Sequence, residues 1–181
     1  MCSSISTTSS TSGRSNLLPA TVESAAAIAR EAGAILLQYL NRVSFELKGE
    51  YDLVTEADRA SERLIVERLR AAFPDHGIIG EEGTDHAPSS EYRWYVDPLD
   101  GTTNFAHGFP MFNVTLGLER GDELIGGVIY DPLRDEMFTA EKGGGAFLNG
   151  NRISVSSASR VEDSLVATGF PSRRRHLNVN L

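Results

Sequence analysis

The sequence has little cysteine and a deficit of positive charge. Its 181 residues include one cysteine, Cys2, so no disulfide can form within the chain and a zinc-thiolate cluster is excluded. Lys and Arg total 17 against 25 Asp and Glu, a net charge of −8. This balance argues against a nucleic-acid or membrane-surface binder, which needs a basic surface. No apolar run approaches the roughly 18 residues of a membrane span, so we expect a cytoplasmic protein with a small-molecule partner.

Several catalytic motifs are also missing. The sequence has no Gly-x-Ser-x-Gly elbow and no Walker-type loop, which excludes two common hydrolase designs. Gly143–Gly145 is not followed by Lys-Ser or Lys-Thr and is interpreted as a bend before a strand. The histidines share no metal-ligand spacing and receive no role; they are His76, His86, His107 and His176.

The length favours a single domain with a tail. Residues 1–18 are half Ser or Thr, carry one Arg and no acid, and are predicted to be a disordered tail. A transit segment, which is also Ser-rich and poor in acids, is the alternative. We expect residues 19–181 to form the domain.

Apolar spacing predicts helices first and antiparallel strands afterwards. Helices are expected over about 21–41 and 55–73, the second stopped by Pro74, and a loop over 84–91. This order indicates an α+β fold or a layered α/β sandwich. The predicted strands are 43–47, 77–80, 92–96, 114–119, 123–130, 136–140, 146–148 and 152–155.

The most informative segment is Asp97-Pro98-Leu99-Asp100-Gly101-Thr102-Thr103-Asn104-Phe105. Two carboxylates and the Leu99 carbonyl form an all-oxygen set that suits Mg²⁺. Gly101 allows a ligand to approach the backbone, and the amides of a helix beginning at Thr102 could bind phosphate. The alternative is a capped turn in which Asp100 is the N-cap and Asp97 is satisfied locally.

Further acids accompany this segment. Glu81 and Glu82 follow an apolar strand, and strand ends are where ligands bind in layered α/β folds. The stretch 52–58, which ends in Asp58, adds more acids at the start of the second helix. Taken alone, both groups are also explained by solvation or helix capping.

Together these blocks resemble the inositol monophosphatase family of Mg²⁺-dependent, lithium-sensitive phosphatases. The resemblance runs from about residue 20 to the C-terminus, and Thr-Thr-Asn-Phe at 102–105 is more similar to the inositol monophosphatase branch than to related phosphatases with Thr-Lys after the glycine. It implies an αβαβα layered sandwich. The matching blocks are 52–58, 79–82, 94–105, 143–153 and 168–171.

The resemblance also implies residue roles. Glu81, Asp97 and the Leu99 carbonyl would hold a first Mg²⁺, Asp97 and Asp100 a second, and Glu81 a weaker third. Thr102, oriented by Asp58, would act with Glu81 on the attacking water, and Glu82 would tune the site. The implied substrate-binding residues are Asp100, Gly101, Thr102 and Thr103.

The implied reaction is hydrolysis of myo-inositol monophosphate by metal-activated water. Histidinol phosphate, fructose 1,6-bisphosphate and a 3′-phosphonucleotide are alternative substrates, and an inactive binding or regulatory domain is an alternative of another class. A homodimer is implied by the resemblance alone.

The chain departs from the family pattern at its end. Complete members carry a later Trp-Asp block that supplies a further metal ligand, whereas the only tryptophan here is Trp94. We therefore expect a C-terminally incomplete domain, truncated before that block, with an open sheet edge and uncovered apolar surface.

Overall fold

The computed structural model describes residues 17–40, 45–47, 53–81, 83, 85–86 and 90–167. Most of the predicted tail lies outside these residues, but its last two positions, 17 and 18, belong to the first helix. No helix within the described ranges is long and apolar enough to cross a membrane. The helices are α1 (Leu17–Tyr39), α2 (Glu56–Ala72), α3 (Thr102–Ala106) and a 3-10 turn (Val161–Asp163).

The strands form a two-stranded sheet and an eight-stranded mixed sheet. β1 and β2 pair with each other, and the larger sheet has the order β10-β9-β8-β7-β6-β5-β3-β4. β3 and β5 are parallel, and the other neighbours are antiparallel. The strands are β1 (Phe45–Leu47), β2 (Leu53–Thr55), β3 (Gly77–Gly80), β4 (Asp85–His86), β5 (Tyr92–Asp100), β6 (Asn113–Arg120), β7 (Glu123–Asp131), β8 (Glu136–Glu141), β9 (Gly145–Leu148) and β10 (Asn151–Ile153).

All eight predicted strands are present, with shifted ends. β2 was missed, and the prediction of a loop over 84–91 was wrong at Asp85–His86, because this pair adds an edge strand to β3. The predicted hairpin at Asn149-Gly150 is confirmed: both residues have positive φ, 48° and 78°. Such φ values match the twist of the flanking strands.

Helix α1 packs on the sheet through small residues. Ala25, Ala29 and Ala32 are fully buried, as their helical spacing predicted. Gly33 allows a closer approach, because a Cβ there would lie 2.6 Å from the Tyr130 ring. The helical layer therefore packs tightly against β7.

Helix α2 packs on β5 with a partly polar face. Ile65 and Leu69 are buried as expected, but so are Asp58, Ser61 and Glu62 nearer the N-terminus. Ala72, the last residue of α2, is exposed. The apolar stripe ends instead at Phe73, whose ring stacks on His76. The buried polar residues of α2 therefore face the C-terminal part of β5, which follows the apolar residues of that strand.

None of the helices described here covers the sheet face opposite α1 and α2. Ile79, Tyr95 and Ile129 each follow a buried strand residue and are 37%, 38% and 44% exposed. Alternation places them on the face away from the helices. This agrees with the expectation of uncovered apolar surface.

Candidate metal centre

Two parallel strands bring the main acidic positions together. The β3–β5 register ends with Gly80 opposite Val96, and the Glu81 amide donates a hydrogen bond to the Val96 carbonyl at 3.1 Å. Glu81 thus continues the β3 ladder beside Asp97. The parallel pairing explains why acids 16 residues apart in sequence become neighbours.

The carboxyl groups of Glu81 and Asp97 interact, and the pKa of Asp97 is raised to about 7. Burial is the largest cause, followed by the negative charges of Glu81 and Asp100. The Leu99 amide, which donates to Asp97 Oδ1 at 3.2 Å, opposes this shift. Two neighbouring carboxyl groups repel each other when both are ionised. A bound cation removes this repulsion, so cation binding at such a pair is strongly favoured.

A β-bulge displays the carbonyl between the two aspartates. Asp97 pairs with Thr115 and Asp100 with Asn113, so two β5 residues face a single β6 residue. Bulges of this kind turn backbone groups away from the ladder. The Leu99 carbonyl accepts a hydrogen bond from the Thr102 hydroxyl at 3.0 Å. A carbonyl has a second lone pair, so this bond is compatible with a cation ligand.

Asp100 is held by a residue that the sequence analysis missed. Asn113 Nδ2 donates to Asp100 Oδ2 at 3.2 Å, and the Thr115 hydroxyl donates to Asn113 Oδ1 at 2.7 Å. Asp100 is not the N-cap of α3, as the capped-turn alternative required, because that position is Gly101. The sequence places Asn113 only at the start of a strand. Its partnership with Asp100 becomes apparent from the β5–β6 register, in which the two residues are paired.

Gly101 is required for a reason other than the predicted one. Its φ is 92°, and a Cβ there would lie 2.8 Å from the Met111 carbonyl oxygen. Gly101 is therefore required for the close approach of the following chain segment, and the predicted approach of a ligand stays a prediction. Thr102 and Thr103 do begin α3 as expected. The first amides of a helix have no partner within it.

The remaining site residues are placed less completely. Asp58 is 3% exposed and lies one helical turn before Ser61 on the face of α2 that packs on β5. Strand β2 contacts α3, so the block that precedes α2 comes close to Thr102. Its acid at position 52 and Glu82 lie outside the described residues. The orientation of Thr102 by Asp58 stays a prediction.

The oxygen donors fit a hard divalent cation. Glu81, Asp97 and the Leu99 carbonyl supply two carboxylates and one carbonyl, and Mg²⁺ is commonly held by one or two carboxylates with waters retained. In the described part of the chain, no three acidic, His or Cys side chains form a complete metal cage. The Asp100 carboxylate is engaged by Asn113, so its role as a ligand stays a prediction.

An open groove of about 630 Å³ leads away from the carboxyl pair across the open face. Its walls combine the acids with apolar and aromatic side chains. The Tyr95 hydroxyl donates to Glu119 Oε2 at 3.1 Å, and Arg93 also contacts this carboxylate. Its lining residues are Ile79, Gly80, Glu81, Tyr95, Val96, Asp97, Thr115, Gly117, Glu119 and Leu124.

The sequence profile of the inositol monophosphatase family matches residues 19–180. The chain belongs to the inositol monophosphatase family. The fold agrees with this assignment. Superposition on the suhB protein of Bartonella henselae gives a TM-score of 0.74 at 41% identity, covering 78% of this chain and 56% of that one. The Thermotoga maritima inositol monophosphatase gives 0.72 at 38% identity, covering 76% and 54%.

Curated relatives carry three different names. An inositol-1-monophosphatase of Rhizobium meliloti is 42% identical over 86% of this chain and 57% of its own length. A Nus factor SuhB of Pseudomonas aeruginosa is 44% identical over 83% and 58%. A fructose-1,6-bisphosphatase/inositol-1-monophosphatase of Aquifex aeolicus is 42% identical over 88% and 62%. The chain therefore spans somewhat more than half the length of these relatives.

Proposed function

We propose that this chain carries the principal metal ligands of a Mg²⁺-dependent phosphomonoesterase that hydrolyses myo-inositol monophosphate. The observation that supports this most strongly is the Glu81–Asp97 pair at adjacent strand ends, with the pKa of Asp97 raised to about 7. A cytoplasmic location and a homodimer are part of the same proposal, and they rest on the family alone.

The proposed ligand roles are those that the family resemblance implies, and the oxygen donors are compatible with them. Glu81, Asp97 and the Leu99 carbonyl would hold the first Mg²⁺, Asp97 and Asp100 the second, and Glu81 a weaker third. When bound, Mg²⁺ supplies electrostatic stabilisation of phosphate charge and lowers the pKa of water. Binding requires that the proton shared by Glu81 and Asp97 leaves the pair.

The other residues would bind and orient the reactants. Glu81 is exposed beside the groove, and its carboxylate can accept a proton from the attacking water. The Thr102 hydroxyl donates to Leu99 and keeps its lone pairs for a water O–H. The Gly101 and Thr102 amides at the start of α3 would bind phosphate oxygens, with Thr103 beside them, and Asp100 would accept hydrogen bonds from inositol hydroxyls.

The test is phosphate release from myo-inositol 1-phosphate by the full 181-residue chain, with and without Mg²⁺. We expect Mg²⁺-dependent release that Glu81→Gln abolishes and that the exposed-site control Glu123→Gln leaves intact. No release from a folded, Mg²⁺-binding chain would contradict the proposed activity and favour the binding or regulatory alternative.

Fructose 1,6-bisphosphate is the second candidate substrate, because the Aquifex aeolicus relative is named for both activities. Side-by-side kcat/KM values on the two phosphates decide between them. A higher value for the bisphosphate would overturn the choice of inositol monophosphate while leaving the metal chemistry in place.

A further inference from the structure

The bulge in β5 leaves a buried carbonyl without a place in the sheet ladder. Pro98 and Leu99 together face one residue of β6, and the pairing of β3 with β5 ends at Val96. The Pro98 carbonyl therefore lies outside the regular strand pairing on both sides, and Pro98 is buried. A buried carbonyl needs a partner from outside the sheet.

Helix α2 supplies that partner through Ser61. The Ser61 hydroxyl donates to the Pro98 carbonyl at 2.9 Å, and the serine is fully buried. This hydrogen bond joins residues 37 apart in sequence and ties the helical layer to the bulge. A hydroxyl at a helix position facing the core has no packing advantage over alanine, so its polar contact is the feature that needs explaining.

We propose that Ser61 is a positioning residue for the metal centre: by holding the Pro98 carbonyl on α2, it fixes the bulge that presents Asp97 and the Leu99 carbonyl. This rests on the proposed function for its metal and on the hydrogen bond for its geometry. The Pro98 carbonyl and the Leu99 N–H are the two polar groups of one planar peptide, so fixing the carbonyl also fixes the N–H that donates to Asp97 Oδ1. The same peptide leads directly into Leu99, whose own carbonyl is the proposed ligand. One helix contact thus controls two ligands.

The matched variants are Ser61→Ala, which removes the donor, and Ser61→Cys, which keeps the size with a weaker donor. Val22→Ala is the control, because Val22 is buried in α1, which packs on α2 and on β6, β7 and β8. All are measured as the full chain. The first readout is amide hydrogen exchange of Leu99 relative to Leu116 in β6, without metal. The second is the Mg²⁺ dissociation constant by calorimetry.

We expect faster Leu99 exchange relative to Leu116 in Ser61→Ala, with Ser61→Cys between it and the parent. We also expect the Mg²⁺ dissociation constant of Ser61→Ala to rise by about tenfold or more, as for other groups that orient metal ligands. Val22→Ala should lower stability while leaving the relative exchange and the dissociation constant unchanged.

Two results would overturn the inference. Unchanged relative exchange of Leu99 in Ser61→Ala would show that the serine does not hold the bulge. Changed exchange with an unchanged dissociation constant would make Ser61 structural only. A parent chain that binds no Mg²⁺ contradicts the proposed function and, with it, the metal part of this inference, whereas the exchange readout still decides whether Ser61 holds the bulge.

Discussion

The carboxyl groups of Glu81 and Asp97 interact at the ends of two parallel strands, where the negative charge of Glu81 helps to raise the pKa of Asp97. Glu81 reaches this position because its amide continues the ladder onto Val96, the residue before Asp97. Backbone pairing therefore sets the separation of the two acids. Without a cation, the pair is relieved by a shared proton.

The first prediction is a pH dependence of stability. Asp97 has a pKa of about 7 in the fold against 3.8 as a reference, so the folded state binds more protons between these values. The free energy of unfolding should therefore fall as pH rises through this window in metal-free protein. Urea unfolding of the parent and Asp97→Asn at pH 5 and pH 8 tests this, since the variant should lose that contribution to the slope.

The affinity for Mg²⁺ should rise with pH, whereas the stability of the metal-free protein should fall. Binding displaces a proton from the Glu81–Asp97 pair, so the affinity should increase as pH rises towards 7 and level off above it. Calorimetry in buffers of different ionisation enthalpy measures the released proton directly. An affinity that is flat from pH 5 to pH 8, with no proton release, would contradict this linkage.

Gly101→Ala should destabilise the chain by about 2 kcal/mol or more, because a positive φ and a steric clash act together. The added Cβ would lie 2.8 Å from the Met111 carbonyl. Gly83→Ala is the matched control, since Gly83 has a similar φ of 103° but nothing within 4 Å of its Cβ position. Equal losses of unfolding free energy in the two variants would mean that the Met111 contact is unimportant.

His76 should lose its contact with Trp94 on acidification. The Trp94 indole donates to His76 Nδ1 at 3.1 Å, and burial lowers the His76 pKa from 6.5. The unfolded chain then binds the proton more readily, so this histidine lowers the free energy of unfolding as pH falls below about 6.5. Trp94 is the only tryptophan, so its fluorescence reports the change.

The matched variant is His76→Phe, which keeps a ring between Phe73 and Tyr92 but has no acceptor for Trp94. Its fluorescence should be independent of pH over the range in which the parent changes. An identical acid transition in parent and variant would assign the change to another group.

The open face should promote aggregation. Leu124 is 66% exposed in the groove beside Tyr95 and Ile79. Leu124→Lys should reduce aggregation in light scattering while changing stability by less than about 0.5 kcal/mol. Leu133→Lys is the control, because Leu133 is 38% exposed but does not line the groove. Equal effects of both substitutions would point to net charge rather than the apolar face.

Much of the secondary structure followed from local patterns. The α1 stripe of Ala25, Ala29 and Ala32 and the Asn149-Gly150 turn each carry their signal within a few residues. β2 and β4 were missed because strands of three and two residues show no periodicity. Their existence depends on pairing with a neighbour, and a sequence pattern does not contain that pairing.

The site residues likewise divide into those that local sequence patterns predicted and those that depend on strand pairing. Glu81, Asp97 and Asp100 stood out as acids after apolar strands, and the structure brings the first two together. The roles of Ser61 and Asn113 in holding this segment were hidden, because each depends on a bulge that shifts the β5–β6 register. Gly101 was predicted to allow a ligand to approach the backbone, which stays a prediction, whereas its positive φ and its contact with the Met111 carbonyl could not be predicted from the sequence.

The most direct test is calorimetric titration of Mg²⁺ into the full chain, its Asp97→Asn variant and the exposed-site control Asp75→Asn at pH 8. The Glu81–Asp97 pair predicts saturable Mg²⁺ binding in the parent and in Asp75→Asn, and its loss in Asp97→Asn. Binding of equal affinity in all three would contradict the assignment of the metal centre to the ends of β3 and β5.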